Sequence, residues 1–352
     1  FLPEWIAFHY ITLPLRYLVI GYDETSKEDP RDVAKRWNGT TSTNTVVANN
    51  ITIWVWKPSR FLKGIRYKFD NLNHRLQRKQ GRFTKLCGLF LKRQNLSWVA
   101  FVDADEFITL HPVDPSNQEE KAFLPDFSNE SHIQKFKQDH RISNHYFLPK
   151  DSPIQRYKLR QWMVNQPDTL TVLDVIHKFR VFMPCHLMHR LKFSSEKGHP
   201  SCQQELDSVP PQADTSHLLT TTFHHHVHKN WVNETRWGKV LVNLNIFNES
   251  YINVAERINT PHQPLPTCVK PPFIHSRLSP FSVHHYLGFL ETYVGADQRK
   301  SVTDYTEWAH YKEGPSCNAI RWLRLFYNTF GQTEAARLLM PPKNTGIPQT
   351  RE

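Results

Sequence analysis

The run Trp98-Val99-Ala100-Phe101-Val102, which leads straight into Asp103-Ala104-Asp105-Glu106, constrains this chain more than any other feature. Five apolar residues without polar alternation have the length and pattern of a strand buried on both faces. Sheets of that kind are covered by helices. Three carboxylates where such a strand ends would be costly unless they bound something. Open α/β sheets place their ligands just past the carboxyl ends of their strands.

The residues before this run alternate helix and strand, which predicts a mostly parallel sheet. Residues 3–10 read as a short helix and Tyr17-Leu18-Val19-Ile20 as a buried strand ending at Gly21-Tyr22-Asp23-Glu24-Thr25-Ser26. Pro30 opens a helix to Trp37. Ile51, Ile53 and Val55 alternate along a half-buried strand. Phe69, Leu72, Leu76, Phe83, Cys87 and Phe90 recur at helical spacing, opposite a basic face that includes Arg66, Arg78, Lys79, Arg82 and Lys85.

Beyond residue 110 the pattern is sparser. Residues 111–153 read as a polar surface insertion, 169–179 as a short helix, and 180–222 as loop-rich. Lys239 to Leu244 is a further strand, a helix is expected to begin near His285, and Arg321 to Leu339 is an amphipathic helix or helix pair. The expected division is 1–110, 111–300 and 301–352.

Composition excludes several classes. Hydrophobic residues make up 39% of the 352 positions and ten are Trp, enough for a packed core. Phe1–Tyr22 is the most apolar stretch, but Glu4, His9, Arg16 and two prolines keep it from crossing a bilayer as a clean helix. The chain opens on Phe, so an anchor upstream of residue 1 is an open expectation. Asn-x-Ser/Thr sequons at Asn38, Asn50, Asn95, Asn129, Asn233 and Asn248 lean toward the secretory lumen. There are five cysteines and no CxxC pair. In an oxidising lumen Cys185 could pair with Cys202 and Cys268 with Cys317; otherwise all five are reduced, and Cys87 reads as a buried thiol either way.

The chemistry centres on the acidic loop. Carboxylates at Asp103 and Asp105 can approach one divalent cation from the same side, and oxygen ligands suit Mn²⁺ or Mg²⁺. A neutral imidazole at His285 could complete that shell, or it could be a satisfied structural histidine. His224, His226 and His228 would share a face of an extended chain, which reads better as a polar strand than as a zinc cluster. The net charge of +11 and the basic helix admit nucleic acid, but no nucleic-acid-binding motif is present and the acidic loop would repel a polyanion, so none is expected as a partner. An anionic glycan is compatible with that charge.

Several blocks resemble one family. PEWIAFHY, YLVIGYDETS, RLQRKQGRFTKLC and WVAFVDADEF, followed by GKVLVNLN, HHYLGFLETY and NAIRWLRLFYNTFG, resemble glycosyltransferase family 92 and related family-2-like enzymes, the last block resembling algal-type members. The resemblance implies a GT-A fold, a Rossmann-like mixed sheet flanked by helices, here with a long insertion and a C-terminal helical segment. It implies a metal-dependent transferase, usually inverting, that uses a nucleotide sugar, most simply a UDP-sugar, in the Golgi or secretory lumen. By its motifs Asp103 and Asp105 would hold metal and diphosphate, Asp23 and Ser26 the nucleoside side, Arg78 the phosphates and His285 the metal. Phe289 departs from the family's Ser, and the first nucleotide-binding strand seen in such enzymes has no counterpart.

The acceptor, a glycan or glycoprotein hydroxyl, needs a general base. Glu205, Asp207, Glu234 and Glu291 are candidates, and Glu291 is favoured because it follows His285 by six residues. A helix over 286–293 would place it about 9 Å further along. The rival readings are a catalytically silent carbohydrate-binding relative, a nucleic-acid-associated protein and a metal-dependent hydrolase.

Overall fold

A computed structural model describes residues 2–22, 29–37, 51–62, 72–113, 126, 129–139, 153–167, 169–179, 185–193, 198–210, 213–224, 238–254, 279–286, 288–289, 317 and 319–341. The fold is mixed α/β with two small sheets.

In chain order the elements are α1 (Leu2–Thr12), β1 (Tyr17–Gly21), α2 (Pro30–Trp37), β2 (Thr52–Trp56), α3 (Pro58–Leu62), α4 (Leu72–Arg93), β3 (Trp98–Ala100) and β4 (Glu106–Leu110). Then come α5 (Glu130–Asp139), α6 (Pro153–Val164), α7 (Val172–Phe179), β5 (Cys185–Phe193), α8 (Gln203–Asp207), α9 (Leu219–Thr222), β6 (Lys239–Asn243), α10 (Glu249–Val254), β7 (Phe281–Tyr286), α11 (Arg321–Phe330) and α12 (Gln332–Leu339). No helix among the described residues is long and apolar enough to cross a membrane.

β1 and β2 pair in parallel, and the larger sheet runs β3-β6-β5-β7-β4. Within it β5 and β7 are parallel and the other pairs antiparallel. Strands from both sides of residue 110 therefore share one sheet. One face packs on α6 and α7 through Ile108, Met188, Val283, Leu159, Met163 and Val175. Val99, Val240 and Val242 on the opposite face meet α4 at Cys87 and Leu91, while Phe107, Phe193 and Tyr286 join α1, α2 and α11 in the largest core.

α1 is buried on nearly every side, from Pro3 to Tyr10. Its polar residues are tied to distant elements. The Glu4 carboxylate accepts from the backbone N–H groups of Leu219 and Thr220 (2.8 and 2.9 Å) and from the Thr220 hydroxyl (2.8 Å). The Trp322 indole donates to that same hydroxyl at 3.0 Å, which joins α1, α9 and α11.

The sheet expected to be mostly parallel is not, because three of the larger sheet's four pairings are antiparallel. Three strands depart from the sequence reading, β4 among them because Glu106 and Phe107 read as part of the acidic loop. Residues 180–222 were expected to be loop-rich, yet β5 is a nine-residue strand at the centre of the larger sheet. The segment at His285 was expected to start a helix, but it lies in β7, and Gly288 then has φ 81°. Lys85, expected on the solvated face of α4, is buried. The C-terminal helix pair is present, and Gly331 at φ 73° separates its halves.

Cys202 bonds to Cys317 across 115 residues. This corrects both expected pairings, since Cys202 does not join Cys185 and Cys317 does not join Cys268. Cys185 is also disulfide-bonded, and Cys87 is the buried free thiol that its apolar setting predicts.

Candidate functional site

The acidic loop is folded by its own backbone. Glu106 N–H donates to the Asp103 carbonyl at 3.1 Å, and Asp103 N–H donates back to Glu106 Oε2 at 3.0 Å. Glu106 is not a loop residue. It opens β4 and is fully buried.

α1 fixes this strand from outside the sheet. The Trp5 indole donates to the Glu106 carbonyl at 2.8 Å, and Ile108 N–H donates to His9 Nε2 at 3.0 Å. His9 Nδ1 lies 2.8 Å from the Trp5 carbonyl, so the ring is neutral with its proton on Nδ1. Burial drives its pKa down to about 3. Trp5 and His9 of the Glu4-Trp5-x3-His9 block thus clamp the strand that follows the acidic loop.

Register brings four charged side chains to one face of the larger sheet. Glu106 pairs with His285, which pairs with Lys192 on its other side; Arg190 is two residues before Lys192, and Met188 pairs with Lys239. Side chains two apart on a strand share a face. Lys239 Nζ is 2.8 Å from Asp103 Oδ2 and 2.9 Å from Glu106 Oε2. The lysine is fully buried; burial alone would lower its pKa, but Glu106 and Asp103 raise it above the ordinary lysine range. Arg190 lies 3.1 Å from Glu106 Oε1 and 3.0 Å from His285 Nδ1. A guanidinium only donates, so Nδ1 accepts and the Nε2 proton faces Asp105 Oδ2, 3.3 Å away. Burial would raise the Asp105 carboxyl, but His285, Arg190 and Lys239 together hold it at about 2.

Asp103 and Ala104 of the loop line a cavity of about 580 Å³, whereas Asp105 and His285 do not. Every residue from Arg16 to Tyr22 and from Leu96 to Ala104 lines it. Unbroken runs of this kind show that the edges of β1 and β3 form the walls, because a strand's face would contribute only alternate residues. α4 closes one side with Phe83, Thr84 and Cys87, and Lys79 and Gln80 add polar groups. The volume falls in the range of small-molecule sites.

The structure brings Asp105 and His285 together from positions 180 residues apart, and it turns Asp103 onto Lys239. Asp105 Oδ2 and His285 Nε2 suit two neighbouring positions on an octahedral Mg²⁺-type cation, whose adjacent ligands sit about 3 Å apart. A cation held by both would replace the proton they share. Nδ1 would then carry a proton, and Arg190 would turn to Glu106 Oε1. Among the described residues no group of three histidine, cysteine or carboxylate side chains could hold a metal. Asp105 and His285 are two such side chains, and a cation held by them would have to take its remaining ligands from elsewhere.

Arg78 is exposed on α4 and does not line the cavity; its neighbour Lys79 does. Asp23, Ser26, Glu234 and Glu291 lie outside the described residues, as do His226 and His228. Of the other base candidates, Glu205 pairs with Arg321 and Asp207 accepts from Gln203, both at α8. His284 is buried on the opposite face of β7 from His285, with its ring 4.8 Å from that of Phe193. Sequence reasoning did not single out Arg190. The available signal was two cations at alternate positions between apolar residues in a nine-residue run. Neither a protein family, nor a curated protein, nor a solved structure matches the chain.

Proposed function

We propose that this protein is a GT-A-type glycosyltransferase that moves a sugar from a nucleotide-sugar donor, most simply a UDP-sugar, to a glycan or glycoprotein hydroxyl. The observation that carries this reading is the meeting of Asp105 and His285 at 3.3 Å, with Asp103 and Ala104 of the same loop lining a ligand-sized cavity. The motif resemblance supports the same reading.

Asp105 and His285 would hold a Mn²⁺ or Mg²⁺ ion, which would offset charge on the leaving diphosphate. The cavity between β1, β3 and α4 would take the donor, with Lys79 and Gln80 near its polar parts. The acceptor oxygen attacks the anomeric carbon, the bond from that carbon to the diphosphate breaks, and a carboxylate takes the hydroxyl proton. Glu291 remains the proposed base. The secretory lumen is the proposed setting, supported by the disulfide and by the exposure of the sequon residues Asn95, Asn129 and Asn248.

The test is thermal melting with UDP. A ligand at about 100 times its Kd adds roughly 2.7 kcal/mol of stability, so UDP raises Tm in Mn²⁺ and has no effect in EDTA. Asp105→Asn and His285→Ala abolish that shift, whereas His284→Ala, on the other face, keeps it in whatever protein folds. An equal UDP shift in EDTA, or none in Mn²⁺, would sink the reading. A metal-dependent shift without transfer to any acceptor would identify a silent binding relative.

A further inference from the structure

Lys239 is fully buried beside the acidic loop, and its ammonium is shared between Asp103 and Glu106 at 2.8 and 2.9 Å. Asp103 is the more exposed partner: its side chain is 46% accessible, and its Oδ2 is held on the lysine. A lysine is a compact cation with a flexible stem, able to occupy the space between two carboxylates much as a bound ion would. The loop therefore carries its own counter-ion. With Asp103 compensated, the arm open to a metal has one carboxylate and one imidazole, a weak donor set for a bare divalent ion.

We propose that Lys239 is a positioning residue: by holding Asp103 out of the Asp105–His285 pair, it prevents the loop from capturing a divalent cation until a diphosphate supplies the missing oxygens. The idea rests on the glycosyltransferase reading for its diphosphate, but the behaviour of the nucleotide-free loop follows from this chain's charges alone. Removing Lys239 releases Asp103 toward the cation arm. The loop then offers two carboxylates and an imidazole, with Arg190 as the cation left beside them, and nucleotide-free cation binding strengthens.

The experiment is Mn²⁺ binding followed by electron paramagnetic resonance, with and without UDP. In the wild-type protein Mn²⁺ binds weakly alone and at least tenfold more tightly with UDP. Lys239→Met binds Mn²⁺ without UDP at least tenfold more tightly than wild type, and adding Asp103→Asn to that variant removes the gain. Lys239→Arg restores wild-type behaviour. A purely structural lysine would lower Tm without creating a nucleotide-free Mn²⁺ signal. If Lys239→Met does not fold, Lys239→Met/Glu106→Gln keeps the net charge of the cluster and gives the same gain. Nucleotide-free binding no tighter than wild type in the folded variant would overturn the proposal. So would a wild-type background in which Asp103→Asn weakens Mn²⁺ binding as much as Asp105→Asn does. Absence of any UDP effect, with the Lys239→Met gain intact, would defeat the glycosyltransferase reading and leave this one standing.

Discussion

At the scale of single residues, the candidate site is a set of charges whose partners lie far apart in the chain. The sequence makes Asp103 and Asp105 visible, because acidic groups after an apolar strand are a recognisable type, and it offers His285 as a candidate but in a segment expected to be helical. Two cations of the cluster are harder to read. Lys239 and Arg190 begin or interrupt apolar runs, and charged residues in that position usually face water. His9 behaves similarly: it lies among apolar neighbours, and only the structure shows that its neutral ring bridges α1 and β4. A consequence for pH follows. The folded pKa of His9 is depressed to about 3 from an ordinary 6.5, so the unfolded chain binds this proton and the native protein does not. Its contribution to stability is complete above pH 6.5 and declines as pH falls toward 3. Between pH 7 and pH 5 the loss is about 2 kcal/mol. The carboxyl of Glu4, raised by burial, works in the opposite direction, since protonation favours its folded form. Comparison with His9→Gln isolates the histidine, because Gln offers both a donor and an acceptor but does not titrate. Urea unfolding at the two pH values should show a decline smaller by about 2 kcal/mol in the variant. Equal declines would mean that His9 is not the titrating group.

At the scale of elements, β1, β2, β3, β6 and the helices α1, α2, α4, α7, α11 and α12 were legible from periodicity. β5 and β7 were not, for a shared physical reason. Both are central in the sheet and bury polar side chains, Lys192 in β5 and Ser282 and His284 in β7, so their alternation does not separate apolar from polar. The junction of β1 with α4 was readable only as a turn, and the structure gives it a sharper meaning. A Cβ on Gly21 would lie 2.5 Å from Cε2 and 2.6 Å from Cδ2 of Phe83. That ring is held between Trp56 and Phe61, at centroid distances of 5.9 and 5.4 Å, so it does not swing away freely. Gly21→Ala should destabilise the fold by about 1–3 kcal/mol, the usual cost of overpacking. Gly88, in the middle of α4, is the control, because its added methyl meets only ordinary contacts at 3.8 Å. Gly88→Ala should therefore stabilise by about 0.5–1 kcal/mol through helix propensity. Guanidinium midpoints measure both, and a neutral Gly21→Ala would show that α4 can shift away from β1.

At the scale of the whole molecule, the fold is closed by contacts between its two ends. α1 packs on β4 and α11, Glu4 binds α9, and the Cys202–Cys317 disulfide joins the segment before α8 to the residues that lead into α11. Sequence spacing favoured short loops for the cysteines, because spacing measures distance along the chain. Burial decided otherwise, since Cys202 is fully buried in the core that also contains Trp322 and Phe326. A bridge across 115 residues removes much of the freedom of the unfolded chain, about 4–5 kcal/mol on the chain-entropy account. The span that the bridge closes includes Lys239 and His285, but the acidic loop lies outside it and the site is held by its own ion pairs. Reduction should therefore lower stability without changing the chemistry of the site. The prediction is that Cys202→Ser and Cys317→Ser each lose about 2–5 kcal/mol, and that the double variant loses no more than the worse single one, because the same bond is broken in all three. Cys87→Ser serves as the comparison for a buried thiol without a partner, its proton affinity raised by burial to about 12. Denaturant unfolding of the four variants reads the energies, and UDP-dependent melting in Mn²⁺ reads the site. Additive losses in the double variant would show that Cys202 and Cys317 act independently and that the two ends of the chain are not joined there.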